Sequence, residues 1–257
     1  YLMFGRATAA WQAWALFAVY GIYFGLTEGV EKALVADLVP ADVRRARVVE
    51  AAGVILWVDG RGDCGSETPC YSTIQAAINA AGAGQIVRVL PGEYGEHLVV
   101  KGKNAAALAT ESDRITIEAD PASPVGSVLL GGRCEHGYAV DFTRSRFGTL
   151  RSFTIAGAGK RGVVLRGGSH RNEGIHLERN RLLRGTAHAC QGGIDIEEGN
   201  PDTVIANNLV YGVAKHALRF RSAPHGNALV VGNTIVRNGW NGIYLERSAR
   251  ARIWNNI

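Results

Sequence analysis

From about residue 48 onward the chain alternates short apolar runs with turn residues, and the runs repeat. One unit reads small–apolar–x–apolar–x. It occurs as Ala139-Val140-Asp141-Phe142-Thr143, Gly162-Val163-Val164-Leu165-Arg166, Gly193-Ile194-Asp195-Ile196-Glu197, Ala217-Leu218-Arg219-Phe220-Arg221 and Gly242-Ile243-Tyr244-Leu245-Glu246. Its steps are 23, 31, 24 and 25 residues. A second unit, Asn-x-apolar-apolar, starts at Asn180, Asn207 and Asn233, and Asn255-Asn256-Ile257 begins a fourth. Two short-strand motifs held in step at about 25 residues predict a parallel solenoid. Each turn of the coil would lay one strand on each of two or three sheets. A sandwich with Asn-rich turns gives neither motif a reason to keep step with the other.

Alternation within the first unit assigns its faces, because successive strand side chains point to opposite sides. Val140 and Phe142, Val163 and Leu165, Ile194 and Ile196, Leu218 and Phe220, Ile243 and Leu245 form the inward set. Asp141, Val164, Asp195, Arg219 and Tyr244 make one outer column, and Thr143, Arg166, Glu197, Arg221 and Glu246 a second. The Asn units suit turns, where Asn accepts left-handed backbone and its amide reaches the next rung. Ahead of the repeats, Tyr71–Gly82 reads as a short helix with Ser72 as N-cap, Gln75 completing a capping box and Gly82 as the stop. Ile74, Ala77, Ile78 and Ala81 give it one apolar face. So short a helix needs tertiary support, and the open end of a solenoid supplies it. Strands over Gln85–Leu90 and Leu98–Val100 follow, with a turn at Pro91-Gly92 between them.

The first 47 residues follow another pattern. Residues 7–27, ATAAWQAWALFAVYGIYFGLT, carry no charge over 21 positions and include Trp11, Trp14, Tyr20 and Tyr23. About 20 apolar residues cross a bilayer as a helix, with Trp and Tyr favoured near its interfaces. A membrane-type helix is expected, with membrane contact only through this segment. No basic region precedes it, so it is not patterned as a signal peptide. Tyr20–Arg45, YGIYFGLTEGVEKALVADLVPADVRR, resembles the end of a transmembrane helix and the next loop in a major facilitator superfamily transporter. Such a fragment implies no transport, since a substrate path needs both halves of the helical bundle. A gene fusion, a mis-assembled reading frame or a borrowed anchor would each account for it. Only four of the 33 Gly, and none of the Asn, precede residue 48. The expected division is therefore 1–47, a hydrophobic helical segment, and 48–257, the solenoid. The start at Tyr1 and the end inside a repeat read as truncations.

Tyr71–Ala81 (YSTIQAAINAA), Val87–Tyr94 (VRVLPGEY) and the repeats after them resemble the right-handed parallel β-helix, pectin lyase-like, superfamily over about residues 54–257. The expected fold is an all-β solenoid: a right-handed parallel β-helix with a short N-terminal capping helix, preceded by the hydrophobic helical segment. That superfamily hosts lyases, hydrolases, esterases, epimerases and non-enzymes, so fold leaves the chemistry open. The resemblance implies that an acidic polysaccharide would lie along an outer face. In members that cleave such polymers, a Lys, Arg or His base removes the proton α to a uronate carboxylate, which Arg, Lys or Ca²⁺ neutralises. The step needs a tuned base and a cation for the enolate-like state. Lys215, His216, Arg219 and Asp195 are the candidate catalytic residues, and Arg221, Tyr244, Glu246 and Glu197 the candidate substrate contacts. Asp195 and Glu197 are also candidate oxygen ligands for Ca²⁺, or an acid/base pair in a hydrolase. A blander reading makes Asp195/Arg219 and Glu197/Arg221 cross-strand pairs on a solvated sheet. The N-T-D and R-I-K signatures of polygalacturonase-like members are not completed: Ile235 follows Asn233-Thr234, and Trp254 follows Arg252-Ile253. G-H-G, D-P-H-[DE] and G-G-x-G-x-D are absent. No catalytic residue is carried over by family match.

Charge and cysteines narrow the choice. A net charge of +5 over 257 residues, without a Lys/Arg block interleaved with aromatics, argues against nucleic acid; polysaccharide, the expected partner, is what the β-helix resemblance implies. At 47% hydrophobic the chain is not disordered, and four Cys are too few for a disulfide-built mini-protein. Cys64 and Cys70 flank a Gly/Ser/Pro loop and are disulfide candidates, whereas Cys134 and Cys190 pair only if their loops fold toward each other. Without C-x-x-C or neighbouring His pairs, no zinc site is expected. His136, His170, His176, His188 and His225 lack partner spacing and are expected to be solvated. An oxidising, extracytoplasmic compartment suits the β-helix. Arg44, Arg45 and Arg47 would instead face the cytoplasm by the positive-inside rule, a conflict that points to an accidental junction. The expected function is polysaccharide binding, with lyase or glycoside hydrolase activity; the alternative is a non-catalytic adhesion or surface β-helix.

Overall fold

Each strand's backbone N–H and C=O groups must find partners, and here they find them one coil away. In the structure, a computed structural model, residues 54–257 are described except 107, 132–136, 158–159, 185–191, 222–225 and 248–250. The apolar segment 7–27, the transporter-like residues 20–45, Cys134, Cys190, His136, His188 and His225 lie outside the described residues. Among the described residues no helix is long and apolar enough to cross a membrane. The chain winds through about seven turns, with parallel sheets of nine, six and six strands among the described residues.

The small–apolar–x–apolar units build the third sheet. Its strands are Leu98–Lys101, Tyr138–Thr143, Arg161–Leu165, Ile194–Ile196, Leu218–Phe220 and Ile243–Leu245. Val140, Val163, Ile194, Leu218 and Ile243 are successive partners, and so are Asp141, Val164, Asp195, Arg219 and Tyr244. The observed register is the one that the repeat predicts. Inward residues of the earlier rungs meet in one core, where Phe142, Leu165 and Phe220 are fully buried beside Leu150 and Phe153. Each such side chain contributes about 1.5–3 kcal/mol by leaving water. At the last strand of this sheet, by contrast, Ile243 is only partly buried and Leu245, expected inward, is exposed.

The small residue that opens each unit faces inward at a corner. A Cβ at Gly162 would meet Leu182 Cδ2 at 2.9 Å, and one at Gly193, where φ is +83°, would lie 2.6 Å from His216 O. Gly193 O accepts from both Gly162 N at 2.8 Å and Val163 N at 3.1 Å, a bulge-like step that breaks the alternation. The residue before the small one therefore lies on the outer face. A third outer column precedes the two expected, in which Tyr138 and Arg161 pair in register.

The Asn units lie at the corner between the first and second sheets, where two adjacent residues divide the work. Asn180 N donates to Asn208 Oδ1 at 2.9 Å, Asn208 N to Asn233 Oδ1 at 2.9 Å, and Asn233 N to Asn256 Oδ1 at 3.0 Å. Arg179, Asn207, Gly232 and Asn255, each one residue earlier, hold the left-handed turn with φ of 54°, 56°, 65° and 49°. The ladder thus runs through Asn208 and Asn256, one residue after the expected Asn207 and Asn255. At the corner between the third and first sheets, Ser145 N donates to Asn172 Oδ1, and Asn172 N to Asn200 Oδ1, both at 3.0 Å.

Helix Ile74–Ala80 buries Ile74, Ala77 and Ile78 and packs on the first strands. Its N-cap is Thr73, whose hydroxyl accepts from Ala76 N at 3.2 Å, not the expected Ser72; its C-cap is Ala81, not Gly82. Gln75 closes no capping box. Its amide is spent on tertiary contact, accepting from Val99 N at 2.7 Å and donating to Val99 O at 3.1 Å. Glu96 takes the helix N-terminus instead, accepting from Ile74 N and Gln75 N at 2.9 Å each. A carboxylate suits those unpaired N–H groups and the positive end of the helix. Cys64 and Cys70 are disulfide-bonded, with Cα atoms 5.8 Å apart.

Candidate functional site

The outer face of the third sheet carries its charges in diagonal pairs. Arg166 forks onto Asp141 (Nη2–Oδ2 2.7 Å), Arg221 onto Asp195 (Nη2–Oδ2 2.8 Å), and Arg219 Nη2 reaches Glu246 Oε2 at 2.7 Å. The expected partners Asp195 and Arg219 are register neighbours, yet Asp195 is held by Arg221 and Arg219 by Glu246. Strand side chains lean along the strand, so a long guanidinium meets the carboxylate one column over more readily than the one directly opposite. These forks cover the column beneath them. Asp195 is only 1% exposed and Val164 fully buried, although both lie on the outward side.

Around Asp195 the column of Tyr138 and Arg161 opens into a cavity of about 260 Å³, lined also by Lys160, Arg219 and Arg221, with Lys215 at its border. Five cationic side chains face a single carboxylate. Arg161 Nε stands 3.7 Å from Asp195 Oδ2, beyond hydrogen-bond length. Burial pushes the Arg161 guanidinium below its usual value, with Asp195 offsetting part of that. The Asp195 hydrogen bond holds Arg221 above its own. Arg161 Nη1, Arg219 Nε and His216 Nδ1 are buried without hydrogen-bond partners.

The other sequence-derived candidates lie around this cavity in different roles. Lys215 Nζ sits 5.2 Å from the Trp240 ring centroid, a cation–π placement. His216 stacks on Tyr244, with centroids 4.4 Å apart and planes 6° apart, and meets Trp240 edge-on at 5.0 Å. Burial, then Arg161 and Arg219, push the His216 imidazole down, so it is neutral and braces the face instead of lining the cavity. Glu197 Oε2 accepts from Gly167 N at 3.0 Å. With Glu198 and Glu246 it borders a second, shallower groove of about 470 Å³ that shares Arg219 and Arg221 with the first. His176 is half-buried and has partners: its Nδ1 is 3.3 Å from Glu178 Oε1 and its Nε2 3.2 Å from Arg114 Nη2.

Asp195 and Glu197 do not fit a Ca²⁺ site. Both oxygens of Asp195 already accept from Arg221, and a divalent ion there would sit against Arg161 as well. Among the described residues no three His, Cys, Asp or Glu side chains converge. Tyr138, Lys160, Arg161 and Trp240 escaped the sequence reading. The signal for Arg161 and Tyr138 was their place just before the small residue, which strict alternation assigns inward.

A parallel coil with a charged outer face defines the class: a β-helix with a cationic surface cavity. A family model described as the right handed beta helix region matches residues 127–257, just over half of the chain, and the chain belongs to that family. Among solved structures it is similar to the pectate lyase Pel9A at 15% identity, covering 79% of this chain and 62% of that one, with a TM-score of 0.51. The A-module of the Azotobacter vinelandii mannuronan C-5 epimerase AlgE4 matches at 15% identity over 73% of this chain and 59% of that one, TM-score 0.44. A rhamnogalacturonan lyase matches at 12% over 79% and 68%, TM-score 0.43. At these identities the likeness is one of fold. The chain spans less than two thirds of the pectate lyase and of the epimerase module. No curated protein sequence matches, and no comparison supports the transporter resemblance.

Proposed function

We propose that this chain binds an acidic polysaccharide along the outer face of its third sheet and acts on it as a lyase, outside the cytoplasm. The observation that carries the reading is the excess of cations, five against one carboxylate, around one cavity on that face. A polyanion is drawn to such a patch, and concave, low-dielectric walls concentrate the field. β-Elimination needs a cation at the uronate carboxylate and a base at the adjacent carbon. Arg219 supplies the first, and Lys215, whose Nζ lies over the Trp240 ring, supplies the second as its neutral amine, taking up the proton to become the ammonium. Hydrolysis fits this cavity less well, because it needs a carboxylic acid free to hand over a proton and the single carboxylate here, Asp195, is held by Arg221. The Cys64–Cys70 disulfide supports an oxidising compartment.

The test incubates the full chain with uronate polymers and follows the absorbance of unsaturated ends alongside binding. Lys215→Ala should abolish product and leave polymer binding within about threefold, whereas Arg219→Ala should weaken binding about tenfold or more. Binding without product from any polymer would favour the adhesion or surface protein. Absence of binding to every acidic polymer would end the reading.

A further inference from the structure

Arg161 is unusual among the cations of the outer face. Its side chain is only 6% exposed, and its Nη1 points to no acceptor. Arg219 Nε, on the same cavity, is also buried without a partner. A buried charged donor left unmet is costly unless a ligand brings the acceptor. Two residues with such donors line one cavity with five cations and a single carboxylate, an arrangement suited to an anion.

We propose that this cavity is a subsite for a tetrahedral oxyanion, a sulfate ester carried by one sugar of the bound polymer, held between Arg161 Nη1 and Arg219 Nε. The proposal rests on the reading of the third sheet as a polysaccharide-binding face. A planar carboxylate is met by one guanidinium fork, and the protein already fills that role internally with Arg221 on Asp195. The two open donors belong to separate side chains rooted two rungs apart, about 10 Å along the coil, so they approach an acceptor from different directions. A group whose oxygens point several ways satisfies both, and Lys160 and Lys215 add charge without demanding a particular geometry.

The experiment compares a sulfated uronate polymer with the same polymer chemically desulfated, at fixed ionic strength, together with inorganic sulfate and galacturonate as small probes. Wild-type protein should bind the sulfated form at least about tenfold more tightly, and Arg161→Met should erase that preference and the saturable binding of sulfate. Equal binding of both polymers, or a preference that survives in Arg161→Met, overturns the subsite and leaves the polysaccharide reading standing. If neither polymer binds, that reading fails, and inorganic sulfate decides the subsite by itself: saturable binding lost in Arg161→Met supports it, and its absence overturns it. Should the variant not fold, wild-type guanidinium resonances carry the test. That of Arg161 should shift saturably with sulfate and not with galacturonate, and no saturable shift with sulfate overturns the proposal.

Discussion

Asp195 shows at the scale of a single residue how this face is held. It is buried at 1% exposure, forked by Arg221 and flanked by Arg161. Removing a buried partner leaves its counter-charges unmet, but Arg221 keeps a side-chain exposure of 39% and water recovers part of the loss. Asp195→Ala should therefore cost about 1–3 kcal/mol in urea unfolding. Arg161→Met, which removes an unmet donor, should cost less than about 1 kcal/mol. His216 carries a pH dependence. Its folded value lies below the ordinary 6.5, so as pH falls through that value the unfolded chain takes up the proton first. Stability should fall from there down to the folded value, and His216→Phe, which keeps the stack on Tyr244, should flatten the urea midpoint across that window. That Asp195 and Arg219 face outward is legible in the repeat. That Asp195 is buried is not, because the cover comes from a guanidinium one rung away.

At the scale of the element, the corners are the least tolerant places. Asn208 donates to Leu177 O and Asn233 Oδ1 and accepts from Asn180 N, all while buried. Asn208→Ala strands several of those groups at once, and urea denaturation should show a loss of about 2–4 kcal/mol. Asn227, whose bond to Asp202 is exposed, should lose less than about 0.5 kcal/mol as Ala. Gly193→Val places a branched side chain at φ of +83°, 2.6 Å from a carbonyl, and should cost more than about 3 kcal/mol. Gly212→Ala, at φ of +66° in open space, should cost about 1 kcal/mol. Strand register was readable here because each unit carries its own in/out pattern. The helix cap lies one residue beyond its expected place because Ser72 and Thr73 are both competent caps, and the local pattern at Gln75 does not show that Val99 claims its amide.

For the whole molecule, the stack of parallel rungs makes stability a sum of neighbour interfaces. Closing the short Cys64–Cys70 loop is worth about 2 kcal/mol in the chain-entropy account. Cys64→Ser with Cys70→Ser should lower Tm by several degrees and leave polymer affinity unchanged, because the disulfide lies on the first turns and the cavity on later rungs of another sheet. A fall in affinity would mean that the coil transmits strain along its length. The sequence by itself determined the coil, its register and the face that carries charge, since period, small residues and alternation are local properties repeated in step. Only the tertiary structure decided which charges meet and which stay open. The loops between rungs differ in length, the bulge-like step at Gly162 and Gly193 turns Arg161 outward, and an arginine reaches past its direct neighbour to the next column.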